Sequence, residues 1–182
     1  MQEITFSREE HIKAVTRRRI KFVVEKGAMA RLFKKGTNEG LQRAVCERLR
    51  FDRVKSFATR DDFDAWHSSV VADGCWAAFT DRGIEEVRWG HFAKLINIIL
   101  YELVANNELV GDGEAKRLRQ WLHVPIDQKV LGWLRSLQKG VRLPRKLVGM
   151  KGSDYRAIQQ AMRDEADKRG IPAIWFEDAY AD

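Results

Sequence analysis

Residues 89–103 read WGHFAKLINIILYEL, and within them residues 92–103 hold eight apolar side chains around a single lysine, Lys94. A helix that is apolar on nearly every side belongs in the middle of a domain, so the rest of the chain must fold around it. An ammonium in such a helix has to reach solvent along its stem, find an anion, or lose its proton. A candidate anion, Asp127, stands 33 residues further on, in the segment LHVPID. Lys94, Asn97 and Tyr101 follow an i, i+3, i+7 spacing, which makes one narrow polar stripe that could line a pocket.

The surrounding sequence reads as all-α, a two-lobed body of about eight helices. Ser7 and Glu10 form a capping box ahead of a helix over residues 8 to about 26. Leu41, Val45 and Leu49 mark the inner face of a second helix. Asp61 or Asp62 caps a third, and Thr80 or Asp81 caps the approach to the central helix. A helix is expected over 114–122. The V-P pair makes residues 123–126 extended, and Asp127 then caps a helix over 128–139. A last helix runs to residue 169, followed by the aromatic tail AIWFEDAY. The short apolar runs lack the alternation of strands. One domain over 1–182 is expected, with a basic lobe at about 1–60, a central segment at 84–139, and a C-terminal helix and tail at 153–182.

Charge is uneven along the chain. Residues 1–60 hold 16 Lys/Arg against 7 Asp/Glu, whereas residues 61–182 hold 17 against 19. A one-sided positive field suits a polyanion, most often nucleic acid, although a solvated basic face needs no partner. Arg17, Arg18 and Arg19 span most of a helical turn and are candidate phosphate contacts. The two cysteines and four histidines lie apart and lack ligand spacing, so no metal site is expected. No run is long and apolar enough for a bilayer. The first residues have no apolar core of a secretory signal, so the expected location is cytoplasmic.

Two plainer arrangements satisfy the same residues. Asp127 serves as an N-cap whether or not it does chemistry, and Lys94 can extend to solvent or pair with Glu85 or Glu86. The segments AKLINIIL and HVPIDQKV nevertheless resemble the helix-hairpin-helix DNA glycosylases, in which a lysine begins one helix and an aspartate follows a V-P-x-D or I-P-x-D segment at the next. The wide spacing is similar to that of the archaeal 8-oxoguanine glycosylase branch. The resemblance covers roughly residues 84–139. Where the superfamily has G-x-G before the lysine, this chain has only Gly90, which weakens the usual presentation of backbone N–H groups to a phosphate.

The resemblance implies a monomer that binds duplex DNA and extrudes a damaged or modified base. Lys94 would be the nucleophile and Asp127 its acid–base partner, with no metal or organic cofactor. DNA contacts would come from His91, Gly90, Asn97, Gln128 and Lys129, with Arg17, Arg18 and Arg19. The alternative is a non-catalytic helical module that binds DNA or a protein.

Overall fold

The computed structural model of the chain describes residues 7–137 and 143–179. The expected helix end at 138–139, residues 140–142 of the basic connector and Tyr180 of the tail lie outside the described residues. α1 (Arg8–Glu25) opens with the capping box. The Ser7 hydroxyl accepts from the Glu10 N–H at 3.2 Å, and the Glu10 carboxylate accepts from the Ser7 N–H at 2.8 Å. α2 (Gly27–Ala30) is one turn. α3 (Asn38–Leu49) buries Leu41, Val45 and Leu49, as their spacing predicts. It stops at Arg50, whose backbone is left-handed (φ 40°), and α4 (Phe51–Ser56) begins at once.

α5 (Arg60–Val71) is capped by Thr59 and not by Asp61 or Asp62. The Thr59 hydroxyl accepts from the Asp62 N–H at 3.2 Å and donates to the Asp62 carboxylate at 2.6 Å. The cap must precede the first helical residue, and both aspartates already lie in the first turn. A 3₁₀ turn (Gly74–Phe79) leads to α6 (Ile84–Val87). That helix starts from Gly83, because the Thr80 hydroxyl is spent on a turn with the Arg82 N–H at 3.1 Å.

A widened π turn (Arg88–Phe92) joins α6 to the central helix, α7 (Ala93–Val104). Arg88, itself buried, anchors this turn. It donates to the Val71 and Asp73 carbonyls at 3.2 Å and to Glu85 at 2.7 Å. Leu95, Ile96, Ile99, Leu100 and Leu103 of α7 are fully buried, at about 1.5–3 kcal/mol of transfer free energy each. α1 and α8 (Asp112–Arg119) pack on this helix. α9 (Gln128–Leu137) and α10 (Gly152–Arg169) follow, then a 3₁₀ turn (Ala173–Trp175) and α11 (Phe176–Ala179).

The fold is all-α: among the described residues there are seven helices of eight or more residues, four shorter ones and no strand. No described helix is long and apolar enough to cross a membrane.

Candidate functional site

Lys94 stands in the first turn of α7 and Asp127 at the N-cap of α9. Their side chains meet, with Nζ 3.4 Å from Oδ2. The aspartate divides its two oxygens. Oδ1 accepts from the Val130 N–H at 2.9 Å and so caps α9, while Oδ2 faces the lysine. Charge-assisted N–H···O bonds usually close to about 2.7–2.9 Å, so this contact is loose. It is also open to solvent, with 18% of the lysine side chain and 30% of the aspartate exposed. Of the two plainer partners for Lys94, Glu85 is taken by Arg88, and among the described residues Glu86 makes no ion pair with the lysine.

Two short segments flank the pair. The tail docks through Phe176, whose ring centroid lies 5.0 Å from that of Trp133 on α9. It docks again through Asp178, which accepts a 2.6 Å hydrogen bond from the Tyr101 hydroxyl on α7. α11 thereby touches both helices that carry the pair and brings Glu177 into the electrostatic field of both residues. Burial pushes the Glu177 carboxyl above its usual range; Lys94 opposes that, and Asp127 and Asp178 reinforce it.

Behind the pair runs a buried chain of polar groups whose direction is fixed from one end. Burial alone would raise the Asp64 pKa. Hydrogen bonds from His123 (2.7 Å) and from both terminal nitrogens of Arg163 (2.8 and 2.9 Å) outweigh it and hold the carboxyl at about 2. Asp64 can therefore only accept, and His123 Nε2 donates to it. Burial lowers the His123 pKa, so the ring is neutral and Nδ1 accepts from the Tyr155 hydroxyl at 2.9 Å. The Tyr155 oxygen accepts from the Asn97 amide at 2.9 Å, and Asn97 Oδ1 accepts from His67 Nε2 at 2.7 Å. Burial drives the His67 pKa well down, and its buried Nδ1 has no partner among the described residues.

Asn97 has a second role. Its amide also donates to the Val124 carbonyl at 3.2 Å, and Gln159 holds the same residue from the other side, at 2.9 Å through the Val124 N–H and 2.8 Å through its carbonyl. Asn97 lies one helical turn beyond Lys94, and Val124 three residues before Asp127. The Asn97–Val124 bond is thus a second tie between the two segments, on the dry side of the first. It sets the extended HVPI segment so that Asp127 arrives at Lys94.

Several expected contacts are corrected by this arrangement. Asn97 is 1% exposed with both amide hydrogens and its oxygen engaged, so it holds backbone and lines no pocket. The predicted polar stripe is divided: Lys94 faces the opening, Asn97 the core and Tyr101 the tail. Gly90 is buried. A Cβ there would run into the Leu147 carbonyl oxygen, and a Cβ at Gly152 would come within 2.9 Å of the Trp89 ring. Gly90 is needed for this close packing of the π turn under residues 147–152, whose Gly149 N–H donates to the Glu86 carbonyl at 2.7 Å. It does not present its N–H to solvent for a phosphate. His91 is 7% exposed, with Nδ1 unpartnered among the described residues. Burial, with Arg82 and Lys94 nearby, lowers its pKa and keeps the ring neutral.

Gln128 and Lys129 are exposed in the first turn of α9. The three adjacent arginines are all exposed and diverge. Arg19 approaches Glu102 of α7 at 3.7 Å, while Arg17 turns to the groove between α1 and α3. The residues missed in the sequence are Glu177, Asp64 and Arg163. Asp64 and Arg163 are 99 residues apart in the chain, and no local pattern pairs them.

Among the described residues, no group of three or more His, Cys, Asp or Glu side chains is gathered as a metal site requires. No protein-family model, curated protein or solved structure matches this chain.

Proposed function

We propose that this chain is a DNA glycosylase of the helix-hairpin-helix kind, with Lys94 as its nucleophile and Asp127 as its acid–base partner. The observation that carries the reading is the 3.4 Å approach of Lys94 Nζ to Asp127 Oδ2 at a solvent-open junction of two helix starts. A lysine and an aspartate were matched to that chemistry by their sequence context, and they are side by side. Two cations lie close enough to bear on neighbouring groups of the same region: Lys26 on Glu177, and Arg82 on His91. They suit an approach by a phosphodiester backbone.

Asp127 accepts a proton from the Lys94 ammonium. The free amine forms a bond to C1′ of an extruded nucleotide as the bond from C1′ to the base breaks. The base leaves with the electron pair and is protonated. Opening of the sugar ring gives an imine between Lys94 and C1′. Loss of a C2′ proton and of the 3′ phosphate then nicks the strand, and water releases the enzyme. When Lys94 enters as the free amine, Asp127 stays ionised at the α9 N-terminus and instead stabilises the positive charge developing at C1′.

Borohydride trapping tests this. Wild-type protein mixed with duplex DNA carrying an abasic site, or a modified base such as 8-oxoguanine, is expected to give a covalent adduct on a denaturing gel. Lys94→Gln is expected to bind the same duplex and give none. Absence of an adduct and of base release across a broad panel of modified bases would sink the reading and leave a non-catalytic helical module.

A further inference from the structure

On the side of the molecule away from Lys94, α1, α3, α4 and α7 line a cavity of about 220 Å³ that is half open to solvent. Leu103 lies at its base. It stands nine residues after Lys94 along α7, which is about 13 Å further on and half a turn round the helix. The cavity is therefore independent of the Lys94–Asp127 site.

Its floor is apolar, built from Ile12 and Ile20 of α1, Leu49 of α3, Phe51 of α4 and Leu103. Its rim holds Arg17 and Arg50. Neither arginine side chain makes a hydrogen bond or ion pair with another described residue. The other charged residues on the rim are already matched, Lys13 by Glu9 at 2.6 Å and Asp52 by Lys55 at 3.3 Å. Burial raises the Cys46 thiol pKa even with Arg17 beside it, so Cys46 is a neutral part of the wall.

Arg50 adds a second, independent sign. It is the one described non-glycine residue with a positive φ, at φ 40° and ψ 66°. A residue with a Cβ is disfavoured there, and glycine would fit the α3–α4 junction without strain. A strained backbone that holds a long unpaired cation over an apolar cavity is the kind of outlier that marks a ligand site.

We propose that this cavity binds a small aryl or alkyl phosphate or carboxylate, with the apolar part on the floor and the acid between Arg17 and Arg50. The size is right for one ring and an acid group, since a cavity of about 150 Å³ already accepts benzene. Two arginine forks suit a planar or tetrahedral oxyanion better than a lysine pair would. A fully apolar ligand would leave both cations unused, and a bare inorganic anion would leave the floor wet.

Phenyl phosphate is the probe, with binding to the full chain followed by isothermal titration calorimetry and by NMR shifts. Saturable one-to-one binding is expected, at least tenfold tighter than for inorganic phosphate or benzyl alcohol. Arg17→Gln and Arg50→Gly are each expected to weaken it at least tenfold, while Arg18→Gln leaves it unchanged. Arg50→Gly is also expected to melt no lower than wild type, because glycine relieves the junction, so its loss of binding cannot be put down to misfolding. A non-specific duplex is expected not to displace the probe. No saturable binding, or binding indifferent to Arg17 and Arg50, would overturn the proposal. Full displacement by duplex would overturn it too, and would give the two arginines to the nucleic-acid backbone instead.

Discussion

Two ionic clusters lie within a few residues of each other along α7 and are built in opposite ways. The Lys94–Asp127 contact is single, long and wet: 3.4 Å, with both side chains partly exposed. The Asp64–His123–Tyr155–Asn97–His67 chain is continuous and short, with links of 2.7–2.9 Å, and is buried except at its Asp64 end, where 31% of the side chain is exposed. In the second cluster nearly every donor has found an acceptor, and such a network rigidifies what it touches. In the first, the lysine has spent one weak bond and keeps two hydrogens for something else. The tight cluster holds the frame, and the loose one leaves the Lys94 side chain freer to change partners.

The sharpest way to break that comparison is to mutate one member of each. Under the proposed chemistry, Lys94→Gln is expected to lower base release or strand nicking by about 10³-fold or more, since it would remove the nucleophile. Its unfolding free energy in urea should stay within about 1 kcal/mol of wild type, as for ion pairs that keep contact with solvent. A large loss of stability instead would make the pair a structural salt bridge. Asp64→Ala should do the reverse. It leaves Arg163 and His123 without their acceptor, and because the Asp64 side chain is itself 31% exposed the expected cost is about 2–3 kcal/mol, below that of a fully buried pair. Equilibrium unfolding in urea reads this directly, and a change under 1 kcal/mol would show the network to be ornamental.

Acid gives the next largest effect. His67 and His123 are neutral when folded and gain a proton when unfolded. Stability should therefore fall as pH drops below about 6.5, the ordinary histidine value. Asp64 works lower down. Its folded pKa of about 2 lies below the ordinary aspartate value of 3.8, so its contribution is present above about pH 4 and lost as pH falls toward 2. Allowing for partial exposure, that loss is about 1–2 kcal/mol. Unfolding followed from pH 8 to 2 should show both limbs, and Asp64→Asn should lack the lower one.

The smallest effect belongs to the tail. Glu177→Gln removes a half-buried carboxylate from beside Asp127 and Asp178, and should raise stability at pH 8 by about 0.5 kcal/mol. At pH 4 the difference should vanish, because the glutamate is then protonated. A destabilised Glu177→Gln would mean that its attraction to Lys94 outweighs both repulsions.

Much of the fold was legible in the sequence because its signals are local. The Ser7–Glu10 box, the leucine spacing of α3 and the V-P-x-D cap of α9 each act within one or two turns. Lys94 and Asp127 were legible as a candidate pair because a helix so apolar leaves few destinations for a lysine, but only the structure shows that their side chains meet. Asn97 was read toward the wrong side. An i+3 spacing says that two residues are neighbours on a helix, and not which of them meets solvent. Gly90 was read as a phosphate-facing residue, since nothing local shows that residues 147–152 will cover it. Glu177, Asp64 and Arg163 were invisible because their partners lie on helices distant in sequence.

The π turn before Lys94 has a consequence for how this chain compares with others. A π turn holds one residue more than an α turn, closing from i to i+5 rather than i to i+4. One extra residue at 88–92 is therefore absorbed on the spot, and the helix that follows keeps its buried face of Leu95, Ile96 and Ile99. Chain length can vary there by one without moving the lysine. A relative lacking that residue would carry the same Lys94 and Asp127 on a continuous helix, one position out of step with this chain in any gapless alignment.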